Sequence, residues 1–148
     1  MRARFQFAFG GNDMQRLDAK FLFLASLLLC VGVGMGITMA GRQDFALAPV
    51  HAHINLVGWA SLALFGLTYR AFPELQQGWA ARLHFTLAMP AAVMFPVGIY
   101  FAITYQNEIV VIVGALAWAI GSLLFAGQMA ALAFGRSSRG APAAVPAQ

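Results

Sequence analysis

Residues 47–75 read LAPVHAHINLVGWASLALFGLTYRAFPEL. From Leu47 to Tyr69 there is no acidic or basic side chain apart from the imidazoles of His51 and His53. A helix crosses the roughly 30 Å hydrocarbon core of a bilayer in about 20 residues, so this run predicts a membrane span. Pro49 falls in its opening turn, where proline is tolerated, and Arg70 and Pro73 close it. An ionisable side chain within such a span is costly and marks a candidate functional site.

Three further runs have the same character: about Phe21 to Gly41, about Leu83 to Tyr105, and about Ile109 to Phe134. Composition agrees, because 61% of the chain is apolar and 9% is charged, against about 25% charged in soluble domains. The expected fold is all-α, an integral membrane four-helix bundle over residues 17–136. A cytoplasmic N-terminal arm is expected at 1–16 and a disordered cytoplasmic tail at 137–148. Arg42-Gln43-Asp44 ends the first span, and Gln106-Asn107-Glu108 separates the third from the fourth. Pro90 and Pro96 lie inside the third and are expected to kink it. The first apolar run exceeds the 7–15 residues usual for a signal peptide and reads as an uncleaved anchor.

The net charge of +4 does not point to nucleic acid, because the charges lie between the apolar runs and act on orientation. Arg2, Arg4, Arg16, Lys20, Arg70, Arg82, Arg136 and Arg139 fall on one side of the expected topology, and Arg42 alone on the other. The positive-inside rule places both termini in the cytoplasm, and the expected location is a bacterial inner membrane. The single cysteine, Cys30, cannot form an internal disulfide. No CxxCH is present, which excludes covalent c-type haem attachment. No nucleotide-binding loop or nucleophile constellation appears.

In this topology His51 and His53 lie near the outer surface and His84 near the cytoplasmic one. A rise of 1.5 Å per residue separates the two levels by roughly 20–25 Å, so His84 cannot share a metal with His51 of the same chain. His51 and His53 are about 200° apart on an α-helix, so at most one points inward. Steps of three and four from His51 give Asn55, Gly58, Leu62, Gly66 and Tyr69, a small and polar face. Steps from His53 give Val57, Ala60 and Leu64, a lipid-like face. His51 is therefore the expected inward residue, and His53 is expected at the interface or bonded to a carbonyl. The glycines on the His51 face suit a flat macrocycle or close helix packing equally. As a candidate cofactor or metal ligand, His84 is expected to serve a separate cytoplasmic-side site, with Gln128 or Met129 as neighbours at its depth, or else to bond a carbonyl freed near the start of the third helix.

The stretch PVHAHINLVGWASLALFGLTYRAFP resembles the second transmembrane helix of haem–copper oxidase catalytic subunits, in particular C-family oxidases and nitric oxide reductases. It is also similar to the HAHE…GF segment of NnrS-like membrane haem proteins. Small four-helix proteins related to oxidase subunit I resemble the chain over most of its length, through His51–Trp59 and the RLHF of Arg82–Phe85. The resemblance implies haem b, with His51 at the position of the low-spin haem ligand. It does not imply a complete oxidase, because such a centre needs about six histidines and this chain has three.

A second axial ligand at the depth of His51 is expected from Met35 or Met39, since methionine ligates haem iron, or from a second copy in a homodimer or larger membrane complex. Met in an apolar helix is also ordinary packing. Arg42 is a candidate partner for a haem propionate, or for Asp44. The resulting expectation is a haem-b-binding membrane protein in electron transfer, or an accessory or sensor in a respiratory or nitric oxide-related system. The alternatives are a non-catalytic assembly or accessory subunit with structural histidines, and a copper-handling protein using His51, Met35 and Met39.

Overall fold

The computed structural model describes residues 16–135. The expected tail, and the expected arm apart from Arg16, lie outside the described residues. Four long helices are present: α1 (Leu17–Arg42), α2 (Ala48–Ala71), α3 (Trp79–Tyr105) and α4 (Ile109–Phe134). A 3-10 turn, Pro73–Gln77, joins α2 to α3, and no strand occurs among the described residues. Each long helix has the length and apolar composition to cross a membrane. The third begins earlier than the apolar run suggested, at Trp79. Helix α3 is continuous through Pro90 and Pro96.

The two loops at one end share their chemistry. Gln43 and Gln106 adopt left-handed backbone, φ 52° and 55°, which halts α1 and α3. The next residue then caps the chain two positions on. Asp44 Oδ1 accepts from Ala46 N–H at 3.0 Å, and Asn107 Oδ1 from Ile109 N–H at 3.1 Å. Polar side chains suited to turns thus set where α2 and α4 start.

Helix α2 packs between α1 and α3, and α4 runs along α3. The seams differ in kind. On α1–α2, side chains fill the space that glycines leave. A Cβ at Gly32 would lie 2.6 Å from Asn55 Oδ1, and one at Gly58 2.8 Å from Leu28 Cδ1. On α3–α4, backbone meets backbone. A Cβ at Gly114 would lie 2.8 Å from Phe95 N, and one at Gly98 would collide with Val111. The buried residues of α4 are Gly114, Gly121 and Gln128, a seven-residue repeat, the period of a left-handed helix pair. Small residues matter here because between apolar helices in lipid, close contact replaces the hydrophobic drive.

Within α2, residues Ile54–Ser61 form a π-helical segment. It begins directly after the two histidines, which lie in regular α-helix, Ala48–His53. Asn55 contributes: its amide Nδ2 donates to the His51 carbonyl at 2.8 Å and so competes for the acceptor of a regular α-turn. Ser61 Oγ bonds the Leu56 carbonyl five residues back, at 2.7 Å. Such wide turns occur preferentially at functional sites.

Candidate functional site

His51 is half-buried against α1. A Cβ at Gly36 would lie 3.1 Å from its Cε1. The amide of Asn55 donates toward its Nδ1 over 3.4 Å. Nδ1 is then an acceptor, and the ring proton sits on Nε2. The space left by Gly36 is taken by the imidazole itself, so close helix packing accounts for this glycine.

His53 is also half-buried, which corrects the expectation that one of the pair faces lipid. Its ring lies 4.8 Å from that of Phe95 on α3, and Val57, on the same supposed lipid face, is buried. Leu64 remains exposed, as expected of that face. His53 Nδ1 lies 2.8 Å from the carbonyl of Pro49. A carbonyl only accepts, so Nδ1 carries the proton and Nε2 presents its lone pair. A ring held in this way is the usual state of an imidazole ligating a metal. The carbonyl bond was one of two outcomes the sequence suggested for His53, while the sequence favoured His51 as the ligand.

Met35, Met39 and Arg42 line one cavity of about 110 Å³ with Thr38, Asp44 and Leu47. The side chains singled out on α1 therefore do converge, though neither His51 nor His53 lines that cavity. A larger cavity of about 300 Å³ lies between α1, α2 and α3, lined by apolar residues and Tyr100. It also contains no histidine. Among the described residues, no group of three His, Cys, Asp or Glu side chains is placed to hold a metal. An axial ligand to a porphyrin needs only one such side chain, and the donor chemistry of His53 fits that role.

The other end of the bundle holds a second constellation. His84 is fully buried, its Nδ1 2.8 Å from the hydroxyl of Tyr69. That hydroxyl accepts from Gln128 Nε2 at 3.1 Å. Rings close the site: Phe65 stands edge-on to His84 at 4.6 Å, with Phe21 and Phe125 each 5.4 Å away. His84 Nε2 is buried with no hydrogen-bond partner. Near this end Arg70 pairs with Asp18 at 3.2 Å, the arginine exposed and the carboxylate buried.

Tyr69 lies eighteen residues beyond His51 on α2. At 1.5 Å per residue this places the two sites roughly 25 Å apart, in agreement with the depth expected for His84. Gln128 is linked to His84 through Tyr69. Tyr69 itself was legible only as a member of the His51 face. The Asp18–Arg70 pair carried no sequence signal, since its members are 52 positions apart.

No protein-family model matches the chain, and neither curated proteins nor solved structures provide a match. The likeness to haem–copper oxidase subunits therefore stands on the quoted motifs alone.

Proposed function

We propose that the chain is a multi-pass membrane protein that binds haem b through His53 and serves electron transfer, or acts as an accessory to a respiratory or nitric oxide-related complex. The observation carrying this reading is the Pro49 carbonyl held by His53 Nδ1 at 2.8 Å, which fixes the tautomer that leaves Nε2 free to ligate. The resemblance of the surrounding motif to a haem-bearing helix supports it. Haem b at this position would supply a one-electron couple. A second copy, related by a two-fold axis, would supply the opposite axial face. The Lys/Arg asymmetry supports an inner-membrane orientation with both termini cytoplasmic and His53 near the outer surface. Alkaline phosphatase fused after Asp44 is then active, and fused after Phe134 inactive.

A reduced-minus-oxidised absorbance spectrum of the purified protein tests the cofactor. Sharp α and Soret bands are expected, largely lost in His53→Ala and largely kept in His51→Ala. Copper is a second reading, favoured by the cavity that brings Met35 and Met39 together beside Asp44, since thioethers suit Cu(I). A blank spectrum with copper found by elemental analysis would select it. A blank spectrum without metal would leave an accessory subunit with structural histidines.

A further inference from the structure

His53 and His84 differ in how their ring nitrogens are held. At the His84 end the shorter contact between Gln128 and Tyr69 is that of the amide nitrogen, 3.1 Å against 3.4 Å for its oxygen. The same nitrogen also reaches the Leu124 carbonyl at 3.4 Å. Gln128 therefore donates to the Tyr69 oxygen, and the hydroxyl proton of Tyr69 points to His84 Nδ1 at 2.8 Å. His84 Nδ1 is an acceptor, which puts the ring proton on Nε2. That N–H is buried with no partner. An unsatisfied buried donor is rare and needs an explanation.

The surroundings of this N–H indicate what would satisfy it. Gly121 of α4 packs against Ala88 and the ring of His84: a Cβ there would lie 3.6 Å from His84 Cδ2, an ordinary contact. Trp118 and Phe125 lie one turn to either side of Gly121 on the same helix face, and both are half-buried. Phe65 bridges to both from α2, with ring centroids 5.8 and 4.5 Å away. His84 Nε2 is thus a single donor enclosed among flat apolar rings and a glycine-bearing helix face.

We propose that His84, Gly121, Trp118 and Phe125 form a binding site for a bilayer-soluble planar ring carrying a hydrogen-bond-accepting carbonyl, of the quinone class. The ring stacks between the aromatic walls, and its carbonyl accepts from Nε2–H. Tyr69 and Gln128 are positioning residues that hold the tautomer. The proposal rests on the membrane reading above but not on haem: a proton on Nε2 offers no lone pair to a metal.

The experiment uses the full chain in nanodiscs, with Trp59→Phe and Trp79→Phe so that Trp118 is the remaining indole. Duroquinone is titrated against Trp118 fluorescence, with durene, the same ring without carbonyls, as control. Saturable quenching by duroquinone that durene does not compete away is expected. His84→Leu should abolish it. Gly121→Ala, which the packing accepts, should weaken it about tenfold, the scale of one lost hydrogen bond. Nitrogen-15 spectra of histidine-labelled protein should show His84 protonated at Nε2. Quenching that stays linear in wild type, or that is equal in His84→Leu, overturns the proposal. So does a spectrum with the proton on Nδ1, or haemin binding that His84→Leu removes. Loss of the haem reading at His53 would appear as a blank absorbance spectrum and leaves these outcomes untouched.

Discussion

At the end of the bundle bearing His51 and His53, polar side chains bond within their own helix. His53 holds the Pro49 carbonyl and Asn55 the His51 carbonyl, each four residues back. Thr38 and Gln43 bond carbonyls three residues back. At the other end the partners come from different helices. Tyr69 of α2 bonds His84 of α3 and Gln128 of α4, and Arg70 of α2 pairs with Asp18 of α1. The first end is polar because of its local sequence and keeps its imidazoles half exposed. The second encloses a polar cluster that exists only when all four helices are in place. At the local end His53 bonds through Nδ1 to a carbonyl of its own helix, and the tertiary end buries a ring nitrogen without a partner.

The sharpest way to break this contrast is to part α3 from α4. Gly98→Leu would drive a side chain into the backbone of Val111, and its cost should be about 3 kcal/mol. Unfolding of the detergent-solubilised protein by added dodecyl sulfate measures it, and the His84–Tyr69–Gln128 chain should be lost while the local bond of His53 survives. Tyr69→Phe comes next. It strips His84 Nδ1 and the Gln128 amide of their shared partner in a buried site, and should cost about 1–3 kcal/mol by the same assay. A smaller effect is expected for Arg70→Met. Although Asp18 is buried, the guanidinium is largely exposed, and such pairs contribute up to about 1 kcal/mol. The smallest belongs to His53→Leu, about 0.5 kcal/mol, because its bond is local and half exposed. Equal losses in His53→Leu and Tyr69→Phe would erase the distinction between the ends.

The same distinction explains what could be read from residue order. The helix positions followed from apolar runs and their punctuation, and the Ile109–Phe134 helix matches its apolar run at both ends. The face of α2 running from Asn55 through Gly58, Leu62, Gly66 and Tyr69 does pack inward, because a three-and-four step is a property of helix geometry. The reading failed at His53, because residue order does not show how many neighbours a helix has. The π segment begins at Ile54, directly after the two histidines, and α2 has a neighbour on each side. Both rings therefore find a helix to pack against, one at Gly36 and the other at Phe95.

The sequence by itself determined four apolar helices, the loops that stop and restart them, the separation of the histidines along the bundle and the small residues that admit close seams. These depend on hydropathy, turn chemistry and a fixed rise per residue, all of which act over a few positions. Tertiary structure decided what surrounds each histidine ring. His53 is fixed by a carbonyl four residues away, but only the bundle shows that its ring meets Phe95. The state of His84 depends on a hydroxyl 15 residues before it and, through that hydroxyl, on an amide 59 residues beyond Tyr69. No local periodicity encodes those separations. They are set by how closely Gly98 and Gly114 let α4 approach α3, and so by where Gln128 comes to rest.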